Sequence, residues 1–121
     1  MRLIFVYNAT SGKHNAVLDS LRKIANPTNY DCSLCTLTYG VFSEKKTWKR
    51  FRKRFDLEME FLHKDEFLKQ FRSKWLPKYT FSVVLSEKNN ELQLFISSEE
   101  LTTFEDVSEL IETIKLRAGQ Y

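Results

Sequence analysis

Five consecutive apolar residues, Leu3-Ile4-Phe5-Val6-Tyr7, stand near the start of the chain and give way to Asn8-Ala9-Thr10-Ser11-Gly12. A run this short, partly β-branched or aromatic and closed by turn formers, predicts a buried strand. Val17, Leu18, Leu21, Ile24 and Ala25 then recur at helical spacing up to Asn26-Pro27, which predicts a helix stopping there. Further on, Ser43 is positioned to cap a helix whose Trp48, Phe51 and Phe55 form one apolar stripe among basic residues. Leu57, Met59 and Phe61 alternate with Glu58 and Glu60 as a half-buried strand, and Phe67, Leu68, Phe71 and Trp75 follow as a short helix ending at Pro77. Tyr79, Phe81, Val83 and Leu85 alternate with polar or smaller residues, Glu87-Lys88-Asn89-Asn90 turns the chain, and Leu92, Leu94 and Ile96 complete an antiparallel hairpin. Thr103, three residues before Asp106, makes a start resembling a capping box. Phe104, Val107, Leu110, Ile111 and Ile114 define a last helix ended by Gly119.

The segment from Tyr30 to Tyr39 fits two patterns. Thr36 and Thr38 favour a strand, whereas the spacing of Cys32 and Cys35 suits a turn entering a helix. The difference is chemical. On a strand the two cysteines point to opposite faces, and in a first helical turn or a metal knuckle they converge.

Composition supports one folded unit over residues 1–121. The 121 residues are 42% hydrophobic and 14% aromatic, with ten Phe, five Tyr and two Trp against three Gly and two Pro. Such a chain is long enough for one core and poor in linker composition. The apolar run at the start is shorter than a membrane span and lacks a small-residue cleavage site, so no export signal or membrane attachment is expected and a cytoplasmic location follows. In that compartment the only two cysteines are expected to be reduced, as a dithiol or a metal-ligand pair.

Cys32-Ser33-Leu34-Cys35 is the main candidate site. In a redox reading Cys32 is the nucleophile and Cys35 the resolving thiol, and Asp31 beside Cys32 would oppose thiolate formation if close in space. In a zinc reading both are thiolate ligands, and His14 and His63 are the only other borderline ligands for a Cys2His2 set, unless carboxylates or a second chain in a homodimer complete the shell. The spacing fits no standard zinc finger. Thr36 stands where a c-type haem motif requires His. In the third reading the cysteines simply pack. His14 and His63 likewise have ordinary readings, as an exposed residue at a helix start and as a hydrogen-bonding residue at a strand end.

Net charge is +3, with eleven Lys or Arg against six Asp or Glu over residues 1–60 and eight against ten over 61–121. Most of the excess comes from Lys45, Lys46, Lys49, Arg50, Arg52, Lys53 and Arg54. These support an alternative in which the basic helix 43–55 is a non-enzymatic binding surface for nucleic acid or an acidic partner, with Trp48 or Phe51 stacking on bases and the cysteines structural. The competing reading turns the aromatic stripe inward and leaves the cations in water. The strand-to-turn stretch Val6 to Lys13 has the outline of a phosphate loop, but Tyr7 replaces the first Gly of a Walker A motif and His14 its final Ser or Thr. It also resembles the Asn-Pro-x-Ser-Gly start of lipid and diacylglycerol kinases, with Ala9 in place of Pro and no Gly-Gly-Asp-Gly-Thr following.

The element order, βα, an insert with the cysteines and the basic helix, then β, α, a ββ hairpin and α, resembles the thioredoxin layout. The resemblance implies an α/β domain with a mixed sheet of about four strands flanked by helices. Pro77 falls near the place where that fold puts a cis proline. The position of the cysteines departs from it, since thioredoxins carry CxxC between the first strand and the first helix, where this chain has Ser11-Gly12-Lys13-His14. As a string, Val6-Tyr7-Asn8-Ala9-Thr10-Ser11-Gly12 with Cys32-Ser33-Leu34-Cys35-Thr36-Leu37-Thr38 resembles a family of short, uncharacterised bacterial proteins sharing YNAxSG and CxLCxLT segments. That resemblance implies a bacterial cytosolic protein and transfers no catalytic residues. The label GTPase sometimes attached to the family has no support in a complete phosphate loop or an NKxD element.

Overall fold

β1 (Arg2–Tyr7) is the strand around which the fold is organised. The structure, a computed structural model, describes residues 1–8, 32–40, 43–71 and 79–119. The helix expected over Val17 to Ala25, the loop Ala9 to Lys13, His14, Asp31, Trp75 and Pro77 lie outside the described residues. The remaining elements are α1 (Ser33–Thr38), α2 (Lys46–Arg54), β2 (Glu58–His63), α3 (Lys64–Gln70), β3 (Val83–Lys88), β4 (Glu91–Ile96), α4 (Ser98–Thr103) and α5 (Val107–Ala118).

The four strands form one mixed sheet in the order β2-β1-β3-β4. β1 runs parallel to β2, with Tyr7 opposite His63, and antiparallel to β3, which pairs antiparallel with β4. This is a thioredoxin-like arrangement. The unbroken apolar run of β1 follows from its position, because the strand is covered on both faces. Leu3, Phe5 and Tyr7 enter the larger core cluster with residues of α1, α2, α4 and α5. Ile4 and Val6 face the opposite way, with Leu62, Phe67, Val83 and Leu85. Burying each such side chain contributes roughly 1.5–3 kcal/mol.

Several local expectations need correction. Ser43 does not cap the basic helix, which starts after Lys45 and has no side-chain cap; it runs over Lys46–Arg54 rather than 43–55. Phe55 instead takes the extended C-cap position. The hairpin strand begins at Val83 rather than Tyr79, and its turn is the pair Asn89-Asn90, both at positive φ (54° and 66°). That conformation matches a two-residue type I′ turn, where Asn is favoured. A register shift between Val84 and Leu85 places Val84 opposite Ile96 and Leu85 opposite Leu94, so Phe95 is the extra residue of a β-bulge. The bulge breaks the simple alternation expected for Leu92, Leu94 and Ile96. Phe95 and Ile96 are both buried, whereas Leu94 is 54% exposed. Leu68, assigned to an apolar helix stripe, is also exposed.

At the end of the chain Thr103 starts no helix. It ends α4, a separate short helix opened by a capping box between Ser97 and Glu100. The last helix is capped by Asp106, whose carboxylate accepts from the Glu109 N–H, and it ends at Gly119 as expected. Arg117 of α5 ties the two helices to the sheet by donating to the Phe95 carbonyl (2.8 Å) and pairing with Glu100. Among the described residues no helix is long and apolar enough to cross a membrane.

Candidate functional site: the Cys32–Cys35 pair

The Tyr30–Tyr39 ambiguity resolves in favour of a helix over Ser33–Thr38, with Cys32 as its N-cap and Cys35 at its third position. Two local features explain why a threonine-rich segment forms a helix here. The Cys32 sulfur accepts the Cys35 N–H (3.2 Å), doing what a Ser or Asp cap would do. The hydroxyls of Thr36 and Thr38 donate back to the carbonyls of Cys32 (3.1 Å) and Leu34 (2.6 Å), so their polar groups are satisfied within the turn. The helix stops at Tyr39, whose backbone is extended and bridges to Glu44.

Cap and third position lie on one side of a first turn, so the cysteines share a face. Their Cα atoms are 5.2 Å apart and the two sulfurs are bonded as a disulfide. The structure therefore shows the oxidised form of the pair, whereas the compartment expectation concerned the reduced dithiol. Once both side chains converge at such a Cα separation, the bond requires no backbone movement.

A third residue, invisible in the motif, completes the site. Ser82 precedes β3, and its hydroxyl donates to the Cys32 sulfur (3.4 Å) while accepting the Asn8 N–H (3.3 Å) from the end of β1. Accepting from Asn8 leaves the Ser82 proton directed at sulfur. The peptide bond between Phe81 and Ser82 is cis, so the described cis bond lies at Ser82 and involves no proline. Cys32, Cys35 and Ser82 are 0%, 1% and 1% exposed. Cys32 thus receives two donors, one from the turn it caps and one from the segment before β3, in a site closed to solvent. In the reduced form such donors stabilise a thiolate, against the opposing effect of burial.

Of the other candidate residues, His63 stands at the end of β2 beside the Tyr7 ring and caps α3. Its N–H donates to Glu66 (2.8 Å) and its Nδ1 lies 2.6 Å from the same carboxylate oxygen, contacts that hold the Glu66 carboxyl below its usual range. This is the strand-end hydrogen-bonding role. Among the described residues no group of three or more His, Cys, Asp or Glu is placed to hold a metal ion. The anticipated Cys32, Cys35, His63 and His14 set is therefore not assembled among them, His14 lying outside. Burial pushes the Tyr7 phenol well up, and that of Tyr39 upward as well.

The seven basic residues differ in their surroundings. Arg52 is held by Glu44 in a two-pronged pair (2.7 and 2.8 Å) over the Phe61 ring, while Lys46, Lys49, Arg50, Lys53 and Arg54 are exposed and Lys45 is half-buried. Trp48 is fully buried against Phe5, Phe51 and Phe61 and presents no face to a base. No sequence signal marked Ser82, because its role depends on a contact across fifty positions of the chain. Comparison with protein-family models, with curated proteins and with solved structures finds no match for this chain.

Proposed function

We propose that this protein carries out thiol–disulfide exchange through Cys32 and Cys35, in the manner of a small redox protein of a bacterial cytosol. The observation that supports this reading is the convergence of the Cys35 N–H and the Ser82 hydroxyl on the Cys32 sulfur. The Cys35 N–H also caps the helix, but a cysteine pair that only packs does not require the Ser82 hydroxyl. In the reducing direction the Cys32 thiolate attacks one sulfur of a partner disulfide, forming a mixed disulfide and releasing one partner thiolate. Cys35, as thiolate, then attacks the Cys32 sulfur, forming the Cys32–Cys35 bond and releasing the second partner thiol. Two electrons pass to the partner, and the two protons lost by the cysteines end on the partner thiols. Attack on a partner requires the turn at Cys32 to open, because both sulfurs are sealed. Exchange is accordingly slower than for an exposed thiol and selective for partners that can open the turn.

Trapping tests this directly. Cys35→Ser protein, folded and reduced, is expected to form a stable mixed disulfide at Cys32 with a small aromatic disulfide, whereas Cys32→Ser leaves a much less reactive Cys35. No adduct at Cys32 under native conditions would rule the exchange out.

A further inference from the structure

A second site lies where α2 packs against α5, lined by neither cysteine. Phe51 and Phe55 lie one helical turn apart, with ring centroids 4.9 Å apart and planes inclined by 31°. With Ile111 from α5 they form the apolar floor of a groove of about 330 Å³. Its rim is cationic. Arg50 and Arg54, also one turn apart on α2, stand on one side and Lys115 of α5 on the other, its ammonium 6.0 Å from the centre of the Phe51 ring. Arg50 and Arg54 make no ion pair among the described residues. Among the described residues the ion pairing of Lys115 is a long exposed contact with Glu112 at 4.0 Å, and no acidic residue lines the groove. The contrast with Arg52 on the same helix is informative, since that cation is neutralised by Glu44.

We infer that this groove binds a small aromatic phosphate, its flat ring resting on the half-buried Phe55 ring and its phosphate held by Arg50, Arg54 and Lys115. Three cations around one rim suit a dianionic head, which a guanidinium fork grips with paired N–H donors. Aromatic faces stack on any flat ring. The volume stands near the lower limit of small-ligand pockets, which suits one ring and its phosphate better than a polymer track. A nucleic acid would need the cations in a continuous line, and burial of Trp48 and pairing of Arg52 interrupt it.

Binding of 1-naphthyl phosphate, followed by amide chemical-shift changes in the isotopically labelled full chain, tests the inference against two control ligands, inorganic phosphate and 1-naphthol. The phosphate ester is expected to bind with a Kd below about 1 mM and to shift residues of α2 and α5 together. Each control ligand should bind at least tenfold more weakly. Arg54→Ala is expected to weaken the ester about tenfold through loss of charge-assisted hydrogen bonds. Phe55→Leu, which keeps an apolar residue at the site, should weaken it about fivefold through loss of stacking. Both variants should retain the native amide spectrum elsewhere; if Phe55→Leu does not, Arg54→Ala and Lys115→Ala carry the test. The site is refuted if inorganic phosphate binds as well as the ester, if the variants bind it unchanged, or if an oligonucleotide or acidic peptide outcompetes it by orders of magnitude at this groove.

Discussion

Replacing Ser82 by Ala removes one hydrogen-bond donor from the Cys32 sulfur without touching the cysteines. The hydroxyl is 3.4 Å from the sulfur, long for a strong hydrogen bond, and is oriented by the Asn8 N–H. Hydrogen bonds to charged groups contribute about 1.5–3 kcal/mol, and the length of this one puts it near or below the low end, at about 1 kcal/mol. The bond matters chiefly in the reduced state, because a thiolate accepts far better than a disulfide sulfur. Its loss therefore disfavours the dithiolate side and makes the couple more reducing. With 30 mV equivalent to about 1.4 kcal/mol for two electrons, the potential of Ser82→Ala should fall by about 20 mV. In the Cys35→Ser background, alkylation of Cys32 near neutral pH should slow about two- to threefold, since the roughly fivefold loss of thiolate is partly offset by the greater nucleophilicity of a more basic thiolate. Equilibration against a dithiothreitol buffer reads the first quantity, and iodoacetamide kinetics the second, with urea unfolding run alongside to separate any change in fold stability. A potential that stays the same or rises in Ser82→Ala would refute the assignment of Ser82 as a donor to the reactive sulfur.

Three other outcomes are expected. The Arg117 guanidinium holds the Glu100 carboxyl below its ordinary value of 4.5, so the pair adds stability above that pH and loses it as pH falls through the lower, folded value. Glu100→Gln should accordingly be less stable than the parent near neutrality, by under about 1 kcal/mol since both partners are partly exposed, with the gap closing in acid by urea titration. Trp48→Ala should destabilise by about 3–5 kcal/mol, whereas Trp48→Phe should fall within about 1.5 kcal/mol of the parent. The smaller cost reflects the indole N–H, which is buried without an acceptor among the described residues, so that its removal offsets part of the lost volume. Asn89→Val, which forces a β-branched residue into positive φ, should lower stability by about 1–2 kcal/mol in thermal or urea unfolding without altering the cysteine chemistry.

Elements held by local chemistry were readable from the chain. The β1 run, the Asn89-Asn90 turn and the Gly119 stop each depend on residues a few positions apart. Where helix starts differ from expectation, a second local signal decides. Ser97 to Glu100 carries the Ser-x-x-Glu spacing of a capping box and opens α4. Asp106 is itself a strong cap, and as the residue at the helix start it supplies the cap for α5 in place of Thr103. The bulge at Phe95 has no sequence mark, since only pairing with β3 shows that two adjacent residues can face one core. At the site, the motif identified Cys32 and Cys35 but left open whether they meet. Their meeting depends on the Cys32 sulfur acting as a cap and on the Thr36 and Thr38 hydroxyls being absorbed by helix carbonyls. Ser82 and Asn8 join through the pairing of β1 with β3, which no spacing along the chain encodes.

The central claim is that the Cys32–Cys35 bond is a working redox couple in a folded protein. Native protein equilibrated in dithiothreitol buffers of graded potential, then quenched and alkylated, gives the number of free thiols by mass. The account predicts one reversible two-electron transition in which zero or two thiols are modified, with the fold intact in both states. A bond that stays oxidised until the chain unfolds would show that the disulfide only braces the start of α1, and would contradict it.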